Sequence, residues 1–344
     1  MTAPPVTLRS PAELLAVIPH LLGFEPRQSI VVVALRDSKM SLTQRMDLPD
    51  RGRVEEVAHA LVGRILRDLA TAALLVGYED TAGESVALIE ALTHRLNARG
   101  LSVRDRIVVR DGRWRSLDCD QPSCCPPQGS PLPGSTEAAS AVAEFIGAGS
   151  APLPDRQALA AQVEPTTAAS DVDQLMKRGR TARTNLSSSE VQRQLAVVWA
   201  RVLTIGGGPI SAADAAVALQ SLTDISTRDG IASLLIPHSL DHESLPEDTQ
   251  TLLREITVIG AAHTNPEADL PVGATKARLI ELCQHATDDH AAPALTLLAT
   301  YSWWHGDGAL ARVAIDRALR CDPTYRLARL LCLMLDEGLR PERS

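Results

Sequence analysis

Aromatic side chains are scarce in this chain, at 3% of 344 residues, and lysine is scarcer, with only Lys39, Lys177 and Lys276 among 34 basic residues. Apolar residues still reach 45%, so any core must be built from aliphatic side chains and close alanine contacts. The excess of arginine and alanine fits a high-GC coding sequence. No run of 18 apolar residues occurs, which excludes the usual helical membrane span. The first nine residues, Met1 to Arg9, lack the basic-then-apolar layout of a secretory signal, so the cytoplasm is the expected location and no membrane partner is expected. Six cysteines are too few for a disulfide scaffold in a chain of this length. The net charge of -8 divides into -2 over residues 1–150 (16 basic, 18 acidic) and -6 over the rest (18 basic, 24 acidic). Nucleic acid, which demands a basic surface, is therefore not an expected partner. There is no P-loop, no G-x-G-x-x-G after a strand, no H-E-x-x-H and no G-x-S-x-G. Gly206-Gly207-Gly208-Pro209 lacks the lysine of a phosphate cradle and reads as a helix stop.

What is present divides the chain in two, as its length suggests. Ser10, Pro11 and Glu13 form the start signal of a helix running to Leu22. Ile30–Leu35 is continuously apolar and β-branched, the mark of a strand covered on both faces. Leu42, Met46 and Leu48 alternate with polar residues and predict a half-exposed strand paired to it. Val54, Val57, Leu61, Ile65 and Leu69 follow helical spacing, and Ala72–Tyr78 is a second buried strand. Thr81 and Glu84 predict a capping box opening a helix that ends at Gly100. Val103–Arg110 and Arg113–Leu117 flank Asp111-Gly112, the dipeptide suited to a two-residue hairpin turn. The middle of this pattern requires parallel neighbours with helical crossovers, and the hairpins at both ends are antiparallel. The expected fold is thus an α/β (α+β) domain over 1–130 with a mixed sheet of about five strands, then a linker with short helices over 131–186. An all-α domain is expected over 187–344, with helices near 187–205, 211–222, 224–236, 247–262, 273–286, 291–305, 309–320 and 324–337.

Chemistry-bearing residues are few. Cys119, Cys124 and Cys125 lie in Cys-Asp-Gln-Pro-Ser-Cys-Cys-Pro-Pro directly after the hairpin that carries Arg113 and Trp114. Three thiolates on a proline-stiffened loop are a zinc-ligand set one short of a closed structural site, and His20, His59 or His94 of the same domain is a candidate fourth ligand. The same residues also fit a reversible redox pair, Cys119 with Cys124 or Cys125, and they fit a packed, reduced loop. His238 and His242, with Asp241 and Glu243, have helical metal-site spacing but are bracketed by Pro237 and Pro246, which favours a polar loop. Cys283, His285, Asp288, Asp289 and His290 read equally as a solvated helix connection. Asp224 and Arg228-Asp229-Gly230 predict an architectural ion pair or a site.

Ala294 to Pro323 resembles a tetratricopeptide repeat over a single unit: Leu298-Ala299, the turn Gly306-Asp307, small residues Ala311 and Ala318, the large Ile315 and the closing Asp322-Pro323. Such a hairpin either presents a face to a peptide or simply completes a helical domain. Of Trp303 and Trp304 within it, one is expected in the core and one partly exposed, where it offers a surface contact.

Several stretches taken together resemble a family described as domain of unknown function 4192, found in high-GC Gram-positive bacteria. They are Ser10-Pro11 through Leu21-Leu22-Gly23-Phe24, Ser29 to Val33, Asp111-Gly112-Arg113-Trp114, Cys124-Cys125-Pro126-Pro127 with Gly129, and Leu297-Leu298-Ala299 through Gly306-Asp307-Gly308-Ala309 to Asp322-Pro323. Arg115 stands where the family pattern has a second aromatic, which argues against an aromatic platform at the loop. The resemblance implies the extent of the protein and no activity, substrate or partner.

Two functions remain open on the residues alone. One is a non-catalytic interaction or regulatory protein whose helical half takes a protein or peptide partner. The other is a thiol- or zinc-dependent protein or enzyme with its site at Cys119, Cys124 and Cys125 beside Arg113 and Trp114.

Overall fold

The computed structural model describes residues 10–37, 39–134, 139–147, 150–182, 188–204, 206, 208–236, 239–261 and 272–341. The chain divides into two compact units, Met1–Arg156 and Gln157–Ser344.

The first unit is built on a mixed six-stranded sheet in the order β2-β1-β3-β4-β5-β6. The strands are β1 (Ser29–Arg36), β2 (Lys39–Asp47), β3 (Ala72–Tyr78), β4 (Ser102–Arg110), β5 (Arg113–Ser116) and β6 (Ser130–Pro131). β1 lies between β2 and β3 and is antiparallel to both, whereas β3 and β4 are parallel neighbours. Only one of the two expected helical crossovers therefore joins adjacent strands. The other runs from β2 through α2 (Val54–Arg67) to β3 and steps over β1. The step has a physical cause: β1 is apolar on both faces, with Ile30 through Ala34 all buried, and gains most from a position with a strand on each side. The sixth strand is two residues long and too short to show alternation.

Alternation sorts the side chains to the two faces of the sheet. Ile30, Val32 and Leu75 meet Leu61 and Ile65 of α2 and Leu88 and Leu92 of α3 (Val86–Asn97) in one aliphatic cluster. Val17 of α1 (Pro11–Leu22) packs with Ala141 and Val142 of α4 (Ala139–Gly147) and with Met40. The start signal of α1 works as read: Ser10 Oγ accepts from the Glu13 amide at 3.2 Å.

Thr81 and Glu84 do not open α3, which starts at Val86. The Glu84 carboxylate turns back onto the Thr81 amide at 2.9 Å and the Asp80 amide at 3.2 Å, and so stabilises a turn. The start of α3 is held by Glu79 instead. Its buried carboxylate accepts from the amides of Gly83 (3.0 Å) and Ser85 (2.8 Å) and from the Ser85 hydroxyl (2.7 Å), placing negative charge at the positive end of the helix. Gly77 makes room for that clasp, since a Cβ there would lie 2.0 Å from Ser85 Oγ.

The second unit contains no strand among the described residues. Its helices are α5 (Arg156–Ala161), α6 (Ala169–Ala182), α7 (Ser188–Leu203), α8 (Ala212–Ser221), α9 (Ile225–Leu235), α10 (Glu247–Ala261), α11 (Val272–Gln284), α12 (Asp288–Trp304), α13 (Gly308–Cys321) and α14 (Arg326–Asp336). The segment 131–186, expected as a linker with short helices, carries β6, α4, α5 and α6, and Val172 and Met176 of α6 are buried. α12 and α13 pack against each other, and Ala291, Leu295 and Leu298 of the first and Ala311, Ala314 and Ala318 of the second are buried, the alanines being small residues that allow close backbone approach. Arg317 sits among them and is 1% exposed.

Candidate metal centre

The cysteine loop starts from a tight hairpin. Asp111 and Gly112 both have positive φ, 51° and 69°, as a type I′ turn requires. β5 then pairs back onto β4, with Trp114 opposite Val109. Thirteen residues later the chain returns as β6 and pairs with the same β5, Arg113 opposite Pro131 and Trp114 opposite Ser130. Both ends of the loop are thereby fixed to one strand. Arg113 reinforces the closure, its guanidinium donating from Nε to the Gln128 carbonyl at 2.9 Å and from Nη2 to the Gly129 carbonyl at 2.8 Å. Gly129 is required at that point: φ is +77° and a Cβ would stand 2.9 Å from the Trp114 carbonyl oxygen.

Inside the loop the backbone folds into turns that gather the sulfurs. The Gln121 carbonyl accepts from the amides of Cys124 (3.0 Å) and Cys125 (2.7 Å), and the Pro126 carbonyl accepts from Gly129 (2.7 Å). At the loop's base, Ser116 Oγ donates to Asp105 at 2.6 Å and accepts from the Asp118 amide at 3.0 Å. Arg106 Nε bonds the Asp118 carboxylate at 2.9 Å. That guanidinium, through its hydrogen bond, holds the Asp118 carboxyl below its ordinary range.

The Sγ atoms of Cys119, Cys124 and Cys125 all lie within 4.8 Å of one another, and the last two are 4.0 Å apart. All six cysteines of the chain are free thiols. The Gln121 amide donates to Cys119, as does the Cys125 thiol, and these bonds draw the Cys119 thiol below its ordinary range. Cys125 is pushed the other way, up to about 11, first by its bond to Cys119 and then by burial. Cys119 therefore ionises before Cys125, which keeps its proton until something displaces it. A metal ion does this, because thiolates are the ligating form.

Zinc fits the donor set. With Zn–S bonds of about 2.3 Å, tetrahedral geometry asks for sulfurs about 3.8 Å apart, so the cluster needs to close by no more than about 1 Å. Among the described residues no histidine or carboxylate joins the group. The three histidines considered as a fourth ligand are placed elsewhere. His20 Nδ1 pairs with Ser150 Oγ at 3.1 Å and its ring lies against Phe145, while His59 and His94 line a groove of about 1630 Å³ between α2 and α3.

The other sequence candidates separate. His238 lies outside the described residues, and His242 belongs to an exposed 3-10 turn, His242–Ser244. Cys283 is buried, Asp288 faces Arg317 and Cys321, and His290 approaches Asp173 at 3.5 Å. Arg228 and Asp229 form an ion pair at 2.7 Å, with Arg228 also bonded to the Tyr325 hydroxyl, and Asp224 caps α9. Trp303 and Trp304 are both half-buried, so neither is the core residue expected of the pair, and Trp303 Nε1 donates to the Leu339 carbonyl at 2.9 Å. The sequence reading missed Glu79 and Arg317. The signal for Arg317 was its spacing, since it continues the apolar stripe of Leu310 and Ala314.

A family model described as Domain of unknown function (DUF4192) matches residues 11–342. No curated protein and no solved structure matches the chain.

Proposed function

This chain belongs to the DUF4192 family, and on that premise we propose that it binds a zinc ion through Cys119, Cys124 and Cys125. The observation that carries this reading is the convergence of three free thiols within 4.8 Å on a loop closed at both ends on β5. Arg113 acts by fixing the loop that holds the ligands, a supporting role of the kind that orients first ligands at metal sites. Three protein donors leave a fourth zinc position for a water or an external ligand, the pattern of an open site rather than a closed structural one. Free thiols in this arrangement suit a reducing compartment such as the cytoplasm, and no helix among the described residues is long and apolar enough to cross a membrane. The test is native mass spectrometry with elemental analysis on protein purified under reducing conditions without chelator. One zinc per chain, absent from Cys124→Ser and Cys125→Ser, is the expected result; an apo mass after zinc addition overturns the reading.

A second reading concerns the helical unit. The α12–α13 hairpin, with its tetratricopeptide-like spacing, is followed by α14, on which Leu330 and Leu333 stay exposed one turn apart. Exposed leucines at this spacing suit a peptide or protein partner. A photo-crosslinker placed at position 333 should capture a partner that excess unlabelled protein competes away, and Leu330→Asp should abolish the capture.

A further inference from the structure

We infer that the three-thiol site is a redox switch, in which oxidation joins Cys119 to Cys125 and releases the metal. The inference rests on the zinc reading above and adds its regulation. Two features of the loop support it.

The first is the pairing geometry. The Sγ atoms of all three cysteines lie within 4.8 Å of one another, and the turn at Gln121, whose carbonyl accepts from the Cys125 amide at 2.7 Å, brings the two ends of the six-residue step from Cys119 to Cys125 together. Cys124 and Cys125 are adjacent, so a bond between them would distort their shared peptide. Cys119 is then the sulfur that pairs across the turn, and half-buried Cys125 is the partner assigned to it, with exposed Cys124 left as the free thiol. The second feature is access. Cys124 is exposed and Cys119 and Cys125 are half-buried, so a small oxidant reaches the sulfurs without unfolding the unit. Closed four-cysteine sites lack that opening.

The oxidant class is a peroxide. The sulfur of one cysteine attacks a peroxide oxygen; the O–O bond breaks, a sulfenic acid forms and the hydroxide takes up a proton as water. The second sulfur then displaces the sulfenic hydroxyl, which leaves as a second water, and the S–S bond forms. Two zinc-bound thiolates lose two electrons in total, the solvent supplies two protons, and one hydrogen peroxide becomes two waters. Zinc keeps one sulfur donor of three and dissociates. A dithiol reverses the change by thiol–disulfide exchange.

The experiment uses the full chain loaded with zinc. Hydrogen peroxide is added, released zinc is followed with a chromophoric chelator, and the cysteines are mapped by peptide mass spectrometry. The expected result is about one zinc released per Cys119–Cys125 disulfide, with both effects reversed by dithiothreitol and added zinc. In a parallel peroxide treatment without zinc, Cys124→Ser should still form the disulfide, and Cys119→Ser and Cys125→Ser should not. Zinc retained after peroxide, or zinc lost with the sulfurs carried to sulfinic acid and no disulfide, overturns the switch while leaving the zinc reading intact. A chain that takes up no zinc at the outset overturns the zinc reading and the switch with it.

Discussion

The guanidinium of Arg317 donates to the carbonyl oxygen of Cys283 at 3.0 Å, from a position 1% exposed to solvent. It also donates to Ala286 at 2.8 Å and to the Val163 carbonyl, with Asp288 at 3.4 Å and Glu164 at 3.8 Å. One side chain of α13 thereby satisfies the carbonyls that end α11 and the turn after α5, groups that a helix leaves without partners of its own.

Removing that side chain should therefore destabilise the helical unit well beyond the loss of one surface side chain. Arg317→Met leaves several buried carbonyls without donors, and the expected loss is about 3 kcal/mol or more. Arg317→Lys keeps the charge without the planar fork and should fall between the two. Guanidinium denaturation of the full chain measures both, and a loss under 1 kcal/mol for the methionine variant would refute the assignment.

Burial pushes the Cys283 thiol up to about 12, opposed by the nearby Arg317. The unfolded chain gives up that proton near pH 8.5, as an ordinary thiol does, while the folded protein keeps it. The unfolded state then binds fewer protons, so stability falls as pH rises from about 8.5 to 12. Denaturation midpoints of the wild type and Cys283→Ala across this window should diverge, with the variant showing the shallower decline. Parallel slopes would show that another group controls the alkaline limb.

Glu79 should behave as the anchor of α3. Glu79→Ala removes three short accepted hydrogen bonds and the longer ion pair with Arg110 at 3.4 Å from a buried site, with an expected cost of about 2–3 kcal/mol, and Gly77→Ala should act on the same clasp by pushing Ser85 away. Hydrogen exchange is the suitable readout, because the lost protection should concentrate in residues 79–97. Unchanged exchange there in both variants would remove Glu79 from this role.

Gly129→Ala keeps every sulfur yet should weaken zinc binding about tenfold, through strain at a positive φ and the clash with the Trp114 carbonyl. Competition against a chelating dye measures it. An unaltered affinity would mean that closure of the loop on β5 does not position the ligands.

Much of the fold was legible because it rests on local signals. Ser10-Pro11 with Glu13, the run of β1, Asp111-Gly112 and the helical spacing from 187 onward each encode their element within a few residues. The Thr81–Glu84 signature misled for the opposite reason: the same pair can close a turn, and Glu79, which outcompetes it for α3, acts through a burial that the sequence does not display. β6 was invisible because its two residues depend on β5 for their conformation.

The same division applies to the candidate site. The sequence by itself determined that three cysteines stand on a short, proline-bounded loop after a hairpin, because spacing and turn chemistry are local properties. It also determined that one half is a mixed sheet with helices and the other is helical, because hydrophobic period follows backbone geometry. Only the tertiary structure decided that the three sulfurs converge while His20, His59 and His94 are held elsewhere, that β1 sits between β2 and β3, and that an arginine belongs in the core of α13. Each of these depends on which distant groups compete for the same space and the same hydrogen bonds, and that competition is settled only when the chain is packed.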